Sequence, residues 1–265
     1  MSLREISRVT GSRKIAENTF ESTLHAPQIA SLVKAGQFIN ILPSGDWPKV
    51  MRRPMSVSGT EGDNLSIIYK VVGTGTEQMY SWAEGDEVDI IGPLGNYWAD
   101  FSKTPIIIGG GVGIAPIFFL HNTLQSNNIE HYMIMGSRTA NEHFLEHDLP
   151  AKVLMTTDDG TYGIHGNVVA AVDTIAENLD LSDTKLFVCG PAPMMEAMKD
   201  YALAKNIECD IALETVMACG IGICQGCSME YVPKESKESS YREKYGLVCM
   251  DGPIFKAKEI KTCYL

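Results

Sequence analysis

A chain of 265 residues exceeds the roughly 100–200 of one domain and has room for two compact domains plus a small appendage. With 45% hydrophobic and 21% charged residues, its composition is that of an ordinary folded protein, which excludes a disordered or fibrous chain. A net charge of −11 repels phosphate backbones and anionic headgroups, which excludes nucleic acid as a partner class.

The first twenty residues mix charged and polar side chains and hold no apolar stretch of signal-peptide length, so a cytoplasmic location is expected. Up to residue 98, short apolar runs at 37–42, 55–58, 65–72 and 87–92 read as strands. Turns at Glu61-Gly62-Asp63-Asn64 and Glu84-Gly85-Asp86 separate them. Strands at this spacing predict an antiparallel β-barrel or sandwich over residues 1–100.

From 101 the rhythm becomes strand, helix, strand: 105–108, helix 115–126, 131–135, then strands near 152–156 and 185–189. This predicts a parallel α/β domain over 101–212. The stretch 106–120 is the most apolar, but it is shorter than the roughly 20 residues of a membrane helix and is broken by Gly109, Gly110, Gly111 and Gly113. No membrane span is expected. A helix at 193–205 carries Met194, Met195, Met198, Tyr201 and Ala202 as a stripe, read as core. Residues 213–265 form a third, small module that is too short to bury an adequate core unaided and is expected to lean on a metal. The whole is a multi-domain β plus α/β architecture.

Seven cysteines, an odd number, argue against a disulfide framework. Cys219, Cys224 and Cys227 have four and then two residues between them, and Cys249 follows after 21 more. That is the spacing of plant-type [2Fe–2S] centres, whereas a four-cysteine zinc site usually presents two short pairs. Gly220, Gly222 and Gly226 let the backbone wrap closely and aim N–H groups at the sulfurs. Cys189 and Cys209 fall in or beside apolar segments and read as buried small hydrophobes.

Two further loops suit phosphate groups. Arg52-Arg53-Pro54-Met55-Ser56 precedes a second segment, Ile68-Tyr69-Lys70, and then Gly73-Thr74-Gly75-Thr76. An arginine, backbone amides and small hydroxyl residues supply donors for a pyrophosphate, and the glycines permit close approach. In the α/β region a strand runs into Gly109-Gly110-Gly111-Val112-Gly113 and then a helix, whose N-terminus can face a dinucleotide phosphate. The third glycine of GxGxxG is replaced by Pro116, and Gly136-Ser137-Arg138 stands where an acidic residue would end the next strand. The loop Cys189-Gly190-Pro191 again joins a strand to a helix, where a nicotinamide could rest. Each loop alone reads equally as a tight turn.

Together, and in this order, these segments resemble the ferredoxin-reductase superfamily with a C-terminal [2Fe–2S] domain. Thr157-Asp158-Asp159-Gly160-Thr161-Tyr162-Gly163, Met217-Ala218-Cys219-Gly220-Ile221-Gly222 and Cys249-Met250-Asp251-Gly252-Pro253-Ile254-Phe255 look more specifically like electron-transfer subunits of NAD-dependent dihydroorotate dehydrogenases. The resemblance covers nearly the whole chain. It implies FAD at Arg53, Pro54, Met55, Ser56, Ile68, Tyr69, Lys70, Gly75 and Thr76, with Arg53 on the pyrophosphate and Arg52 at the rim. It implies nicotinamide nucleotide at Gly110, Gly111, Val112, Gly113, Cys189, Gly190 and Pro191, and cluster ligation by Cys219, Cys224, Cys227 and Cys249. The charged insertion at 233–244 departs from the pattern beside the fourth ligand.

The resemblance further implies an oxidoreductase subunit in pyrimidine biosynthesis. Electrons from dihydroorotate, released at an FMN in a separate catalytic subunit, would pass through the cluster to FAD and on to NAD⁺, in an assembly of two plus two chains. Ile221, Ile223 and Met229 are candidates for the docking contact, or equally for the interior of the tail. The nearest rival shares the architecture: the small FAD and [2Fe–2S] subunit of a bifurcating ferredoxin:NADP oxidoreductase or a sulfhydrogenase. An aspartate at one ligand position would favour the bifurcating type, and all four are cysteine. The sequence leaves NAD against NADP open, since Arg138 could meet a 2′-phosphate or stand solvated.

Overall fold

The computed structural model describes residues 2–45, 51–233 and 240–265. Alternation builds the first half. In β1 (Leu3–Ala16), Glu5, Ser7 and Val9 turn inward while Arg4, Ile6 and Arg8 face out, as a pleated strand requires. The inward Glu5 is satisfied at the first turn of α1 (Pro27–Ala30), where its carboxylate accepts the N–H groups of Gln28 at 3.1 Å and Ile29 at 2.9 Å. Five more strands follow: β2 (Thr19–His25), β3 (Phe38–Leu42), β4 (Arg53–Glu61), β5 (Asn64–Lys70) and β6 (Glu87–Leu94). They close an antiparallel barrel in the order β1-β2-β5-β4-β3-β6, which leaves no open edge. The expected turn at 61–64 is the β4–β5 hairpin, with Gly62 at φ +56°.

The segment Gly73-Thr74-Gly75-Thr76 is not an open loop. It starts α2 (Thr74–Tyr80), and the Thr76 hydroxyl turns back to accept the N–H groups of Val72 at 2.9 Å and Gly73 at 3.3 Å. The same hydroxyl donates to the Gly73 carbonyl at 3.0 Å and so closes the turn.

The second half alternates strands β7 (Thr104–Gly110), β8 (Tyr132–Ser137), β9 (Val153–Thr157), β10 (Ile164–His165), β11 (Thr184–Cys189) and β12 (Glu208–Ala212) with helices α3 (Ile114–Ser126), α4 (Val168–Ala176) and α5 (Ala192–Lys205). The tail adds β13 (Ser228–Glu230), α6 (Tyr241–Lys244), β14 (Tyr245–Leu247) and β15 (Ile254–Lys256). The sheet order is β10-β9-β8-β7-β11-β12-β15, parallel throughout except that β15 runs antiparallel beside β12. The expected parallel sheet is therefore mixed, because the cysteine-rich tail lends it an edge strand.

The tail also shares a core with the sheet. Cys227, Met229, Val248, Cys249 and Phe255 bury in the same cluster as Met195, Met198 and Ala202 of α5. The tail therefore leans on that packing as well as on any bound metal. Met194, from the same methionine stripe, is only partly buried and faces a cavity described below. Of the insertion at 233–244, residues 234–239 lie outside the described residues. Among the described residues no helix is long and apolar enough to cross a membrane.

Candidate functional site

Where barrel, sheet and tail meet, they enclose a cavity of about 790 Å³, within the range of cofactor sites. Its barrel wall is Pro54, Met55 and Ser56 of β4 with Ile68, Tyr69 and Lys70 of β5, and Thr76. Its sheet wall is Gly110, Gly111, Val112 and Pro191, with Gly136, Ser137, Arg138, Thr156 and Asp158 further along. Its third wall is Leu213, Glu214, Thr215 and Met217, the segment that runs from β12 into the first cluster-type cysteine, with Pro253 from beyond the last one. One cavity thus gathers residues from all three expected regions.

Several expected residues stand behind this wall. Gly75 is buried against Arg53, where an added Cβ would strike the guanidinium. Arg53 also donates to the carbonyls of Met51 and Arg52 at 3.3 Å each. Arg52 is bound elsewhere: its guanidinium meets Asp89 Oδ2 at 2.9 Å and donates to the Asp89 carbonyl at 2.9 Å. Burial pushes the Asp89 carboxyl up, but Arg4 and Arg52 together hold it below the usual carboxylate range. Gly113 packs on the backbone of Cys189 and Gly190, 2.5 Å from where its Cβ would be, so a side chain there would part the two loops. Gly113, Cys189 and Gly190 are support for the wall rather than lining.

The lining suits a flavin dinucleotide. Apolar surface dominates at Met55, Ile68 and Tyr69, and the glycine edge allows backbone approach: a Cβ at Gly110 would strike Met194 Sδ, and Gly111 sits at φ +56°. Thr156 Oγ1 is buried on the sheet wall without a partner among the described residues, a polar atom a ligand could satisfy.

Glu214 was not foreseen. It sits beyond the end of β12, exposed to the cavity yet ringed by protein, and the loss of hydration pushes its carboxyl up to about 7. The Cys189 thiol donates to Glu214 Oε1 at 3.8 Å, a long contact even for sulfur, and burial drives that thiol well above its ordinary range. A carboxyl that titrates near neutrality therefore lines the cavity. Sequence gives little sign of it, because an acid after an apolar strand is commonplace.

The cysteines stand as pairs. Cys219 Sγ accepts the N–H of Cys224 at 3.3 Å, and Cys227 Sγ lies 3.2 Å from Cys249 Sγ. Among the described residues, no three His, Cys, Asp or Glu side chains gather as one metal ion would need. Paired thiols suit a two-iron cluster, in which each iron takes two protein sulfurs. Burial opposes a thiolate at Cys219, yet the N–H groups of Cys224, Ile221 and Ile223 overrule it and bring the thiol down to about 7. At Cys249, burial and the adjacent Cys227 push the thiol up to about 12. Gly220 at φ +68° and Gly222 at φ +80° permit this wrapping, and Gly220 lies flat on Asn40 of β3, whose side chain donates to the Cys219 carbonyl at 2.8 Å.

Asn96 fixes the fourth cysteine's motif. Its side chain donates to the carbonyls of Asp251 at 3.1 Å and Ile254 at 2.8 Å and accepts the Ile254 N–H at 2.9 Å. Asp251 in turn accepts the Leu247 N–H at 2.7 Å. At the tail's surface Ile223 is 77% and Ile221 40% exposed, whereas Met229 is 1% exposed and belongs to the core, which removes it from the docking candidates.

Comparison with known proteins gives full-length relatives. The "dihydroorotate dehydrogenase B (NAD(+)), electron transfer subunit" of Bacillus pumilus is 33% identical over 260 residues, covering 95% of this chain and 96% of its own. That of Caldanaerobacter subterraneus is 34% identical, covering 96% and 97%. The chain belongs to this family. It is accordingly an oxidoreductase component. Residues 214–261 match the family's iron-sulfur cluster binding domain and residues 107–200 an oxidoreductase NAD-binding domain, which span the tail and the stretch from β7 to α5. A chain from an NADH-dependent reduced ferredoxin-NADP oxidoreductase, solved for insight into flavin-based electron bifurcation, is 25% identical with a TM-score of 0.83, covering 97% of this chain and 90% of that one. The ferredoxin reductase in carbazole 1,9a-dioxygenase, at 18% identity and TM-score 0.67, shares the fold over 78% of this chain.

Proposed function

We propose that this chain carries electrons from dihydroorotate, oxidised by an FMN-containing catalytic subunit, to NAD⁺, in an assembly of two copies of each. In this reading residues 1–100 hold FAD, 101–212 the nicotinamide nucleotide and 213–265 a [2Fe–2S] cluster. A bound flavin exchanges a hydride with nicotinamide and single electrons with an iron–sulfur cluster, which makes it the converter between two-electron and one-electron carriers. The observation that carries the reading is the shared cavity, whose walls come from the flavin-type strands, the glycine loops and the segment entering Cys219.

The chain's own residues divide the work. The β4 backbone, with the Arg53 charge just behind it, would hold the pyrophosphate, and Met55, Ile68 and Tyr69 would shape an apolar slot for the ring. Gly110, Gly111 and Pro191 let a nicotinamide nucleotide approach the opposite face. Glu214, which titrates at about 7, would hold or release a proton beside the slot. Cys219, Cys224, Cys227 and Cys249 would ligate the cluster, and exposed Ile221 and Ile223 would mark the face toward the catalytic subunit.

The test is content and absorbance. Purified protein is expected to carry about two irons and two acid-labile sulfides per chain. Cys224→Ser is expected to bleach most of the cluster absorbance and keep FAD. Full retention of both refutes the ligand assignment, and a colourless, zinc-containing protein refutes the reading as a whole. The likeness to the bifurcating reductase supports a second partner for the same conduit; co-purification from the native cell discriminates, by which catalytic chain accompanies this one.

A further inference from the structure

The second strand of the nucleotide sheet, β8, ends at Ser137, and Arg138 follows. In nucleotide-binding sheets of this type the end of that strand reads the adenosine ribose: a carboxylate accepts the 2′-hydroxyl of NAD, and an arginine meets the 2′-phosphate of NADP. From sequence, Arg138 could meet a 2′-phosphate or stand solvated. The fold ties it to a carboxylate instead. A short 3₁₀ turn, Ala140–Glu142, folds back so that Glu142 Oε1 accepts from Arg138 Nε at 3.1 Å and Nη2 at 2.9 Å. Its other oxygen, Oε2, meets Lys70 Nζ of the barrel at 2.9 Å.

We propose that Glu142 sets the preference for NAD⁺ over NADP⁺, supplying the ribose-reading carboxylate that β8 lacks and occupying the arginine that would otherwise bind a 2′-phosphate. This rests on the reading of the cavity as a nicotinamide nucleotide site.

Three observations carry it. Ser137, Arg138, Glu142 and Asp158 line one wall of the cavity, so the carboxylate stands where the ligand lies. The Glu142 side chain is only 12% exposed while that of Arg138 is 78% exposed, so the acid is the built part of the pair and the arginine is drawn to it. Two cations bonded to a half-hidden carboxylate keep it ionised: burial pushes its carboxyl up, and Lys70 and Arg138 pull it below the usual range. A carboxylate offers about four lone-pair positions, and the three hydrogen bonds present leave room for one ribose hydroxyl. A 2′-phosphate brings about two further negative charges to the same place, beside the exposed carboxylate of Asp158.

The test compares two nucleotides on the full flavin-loaded chain. NAD⁺ and NADP⁺ are titrated by calorimetry, and kcat/KM is measured for NADH and NADPH with an artificial acceptor. The wild-type chain is expected to favour NAD⁺. Glu142→Gln is expected to shift the ratio toward NADP⁺ by tenfold or more, mostly through tighter NADP⁺ binding, and adding Arg138→Ala in the same chain is expected to erase that gain. Loss of the Lys70 bridge alone would weaken both nucleotides together and leave the ratio in place, which would overturn the proposal. Arg138→Ala by itself tests it independently of whether Glu142→Gln folds: a tenfold loss of NADP⁺ affinity in that variant would show the arginine already reading a phosphate and would also overturn it. A wild-type chain that binds and oxidises neither nucleotide would instead refute the nicotinamide reading on which the proposal stands.

Discussion

Arg52 and Arg53 are neighbours in sequence with different environments. Arg52 is half of a partly buried ion pair with Asp89, whereas Arg53 lies across Gly75 beside the cavity's barrel wall. Arg53→Ala is therefore expected to weaken FAD binding by about ten- to a hundredfold, the value of a charge-assisted phosphate contact at roughly 1.5–3 kcal/mol. Arg52→Ala is expected to lower the melting temperature and release less flavin. Flavin fluorescence on dilution of both variants checks this, and equal release would remove the basis for choosing Arg53. Glu214 gives a pH signature. Its folded carboxyl titrates at about 7, above the ordinary value of 4.5, because the cavity floor strips its hydration. A raised acid favours the folded state fully below about 4.5 and loses that advantage as pH climbs to about 7. Glu214→Gln should thus gain melting temperature relative to wild type between pH 5 and pH 8, and a difference that is flat or of opposite sign contradicts the assignment. At the residue scale, the four cysteines are legible as a candidate ligand set because their spacing is that of a plant-type two-iron centre. Glu214, Asn96 and Glu142 are not, since each acts through a fold that brings it to a partner distant in sequence or folds it back by a turn.

At the scale of elements, the barrel strands and the βα rhythm are readable where a strand carries its own alternation or apolar run and a turn such as Glu61–Asn64 its own glycine. Several elements escaped, among them α4, α2 and β15. The glycines around Thr74 disguise α2, which is started by the Thr76 back-bond rather than by an apolar period. The three residues of β15 are too short to show a period, and they become a strand because β12 offers an edge. Asn96 holds that edge strand and the Cys249 turn with three hydrogen bonds. Asn96→Ala is expected to cost roughly 1–3 kcal/mol, since the part-buried N–H and carbonyl of Ile254 lose their partner. Thermal melting together with the rate of cluster bleaching checks this, and faster bleaching is expected to accompany the lower midpoint. A variant that melts and bleaches like wild type would mean the motif positions Cys249 without Asn96.

For the molecule as a whole, the proposed function is that of a conduit, with one carrier for each of its three regions. The cavity where they meet is bounded by Leu213, Glu214, Thr215 and Met217, on the segment that runs into Cys219. The isolated chain should therefore reduce an artificial acceptor with NADH, which needs only the flavin slot and the glycine loops. Dihydroorotate oxidation should need the partner. The most direct measurement offers dihydroorotate and NAD⁺ to the purified chain and follows orotate before and after the FMN-containing catalytic subunit from the same cell is added. The account predicts no orotate from the lone chain and orotate matched by NADH once the partner is present. Orotate from the lone chain, or none with the partner, would contradict it.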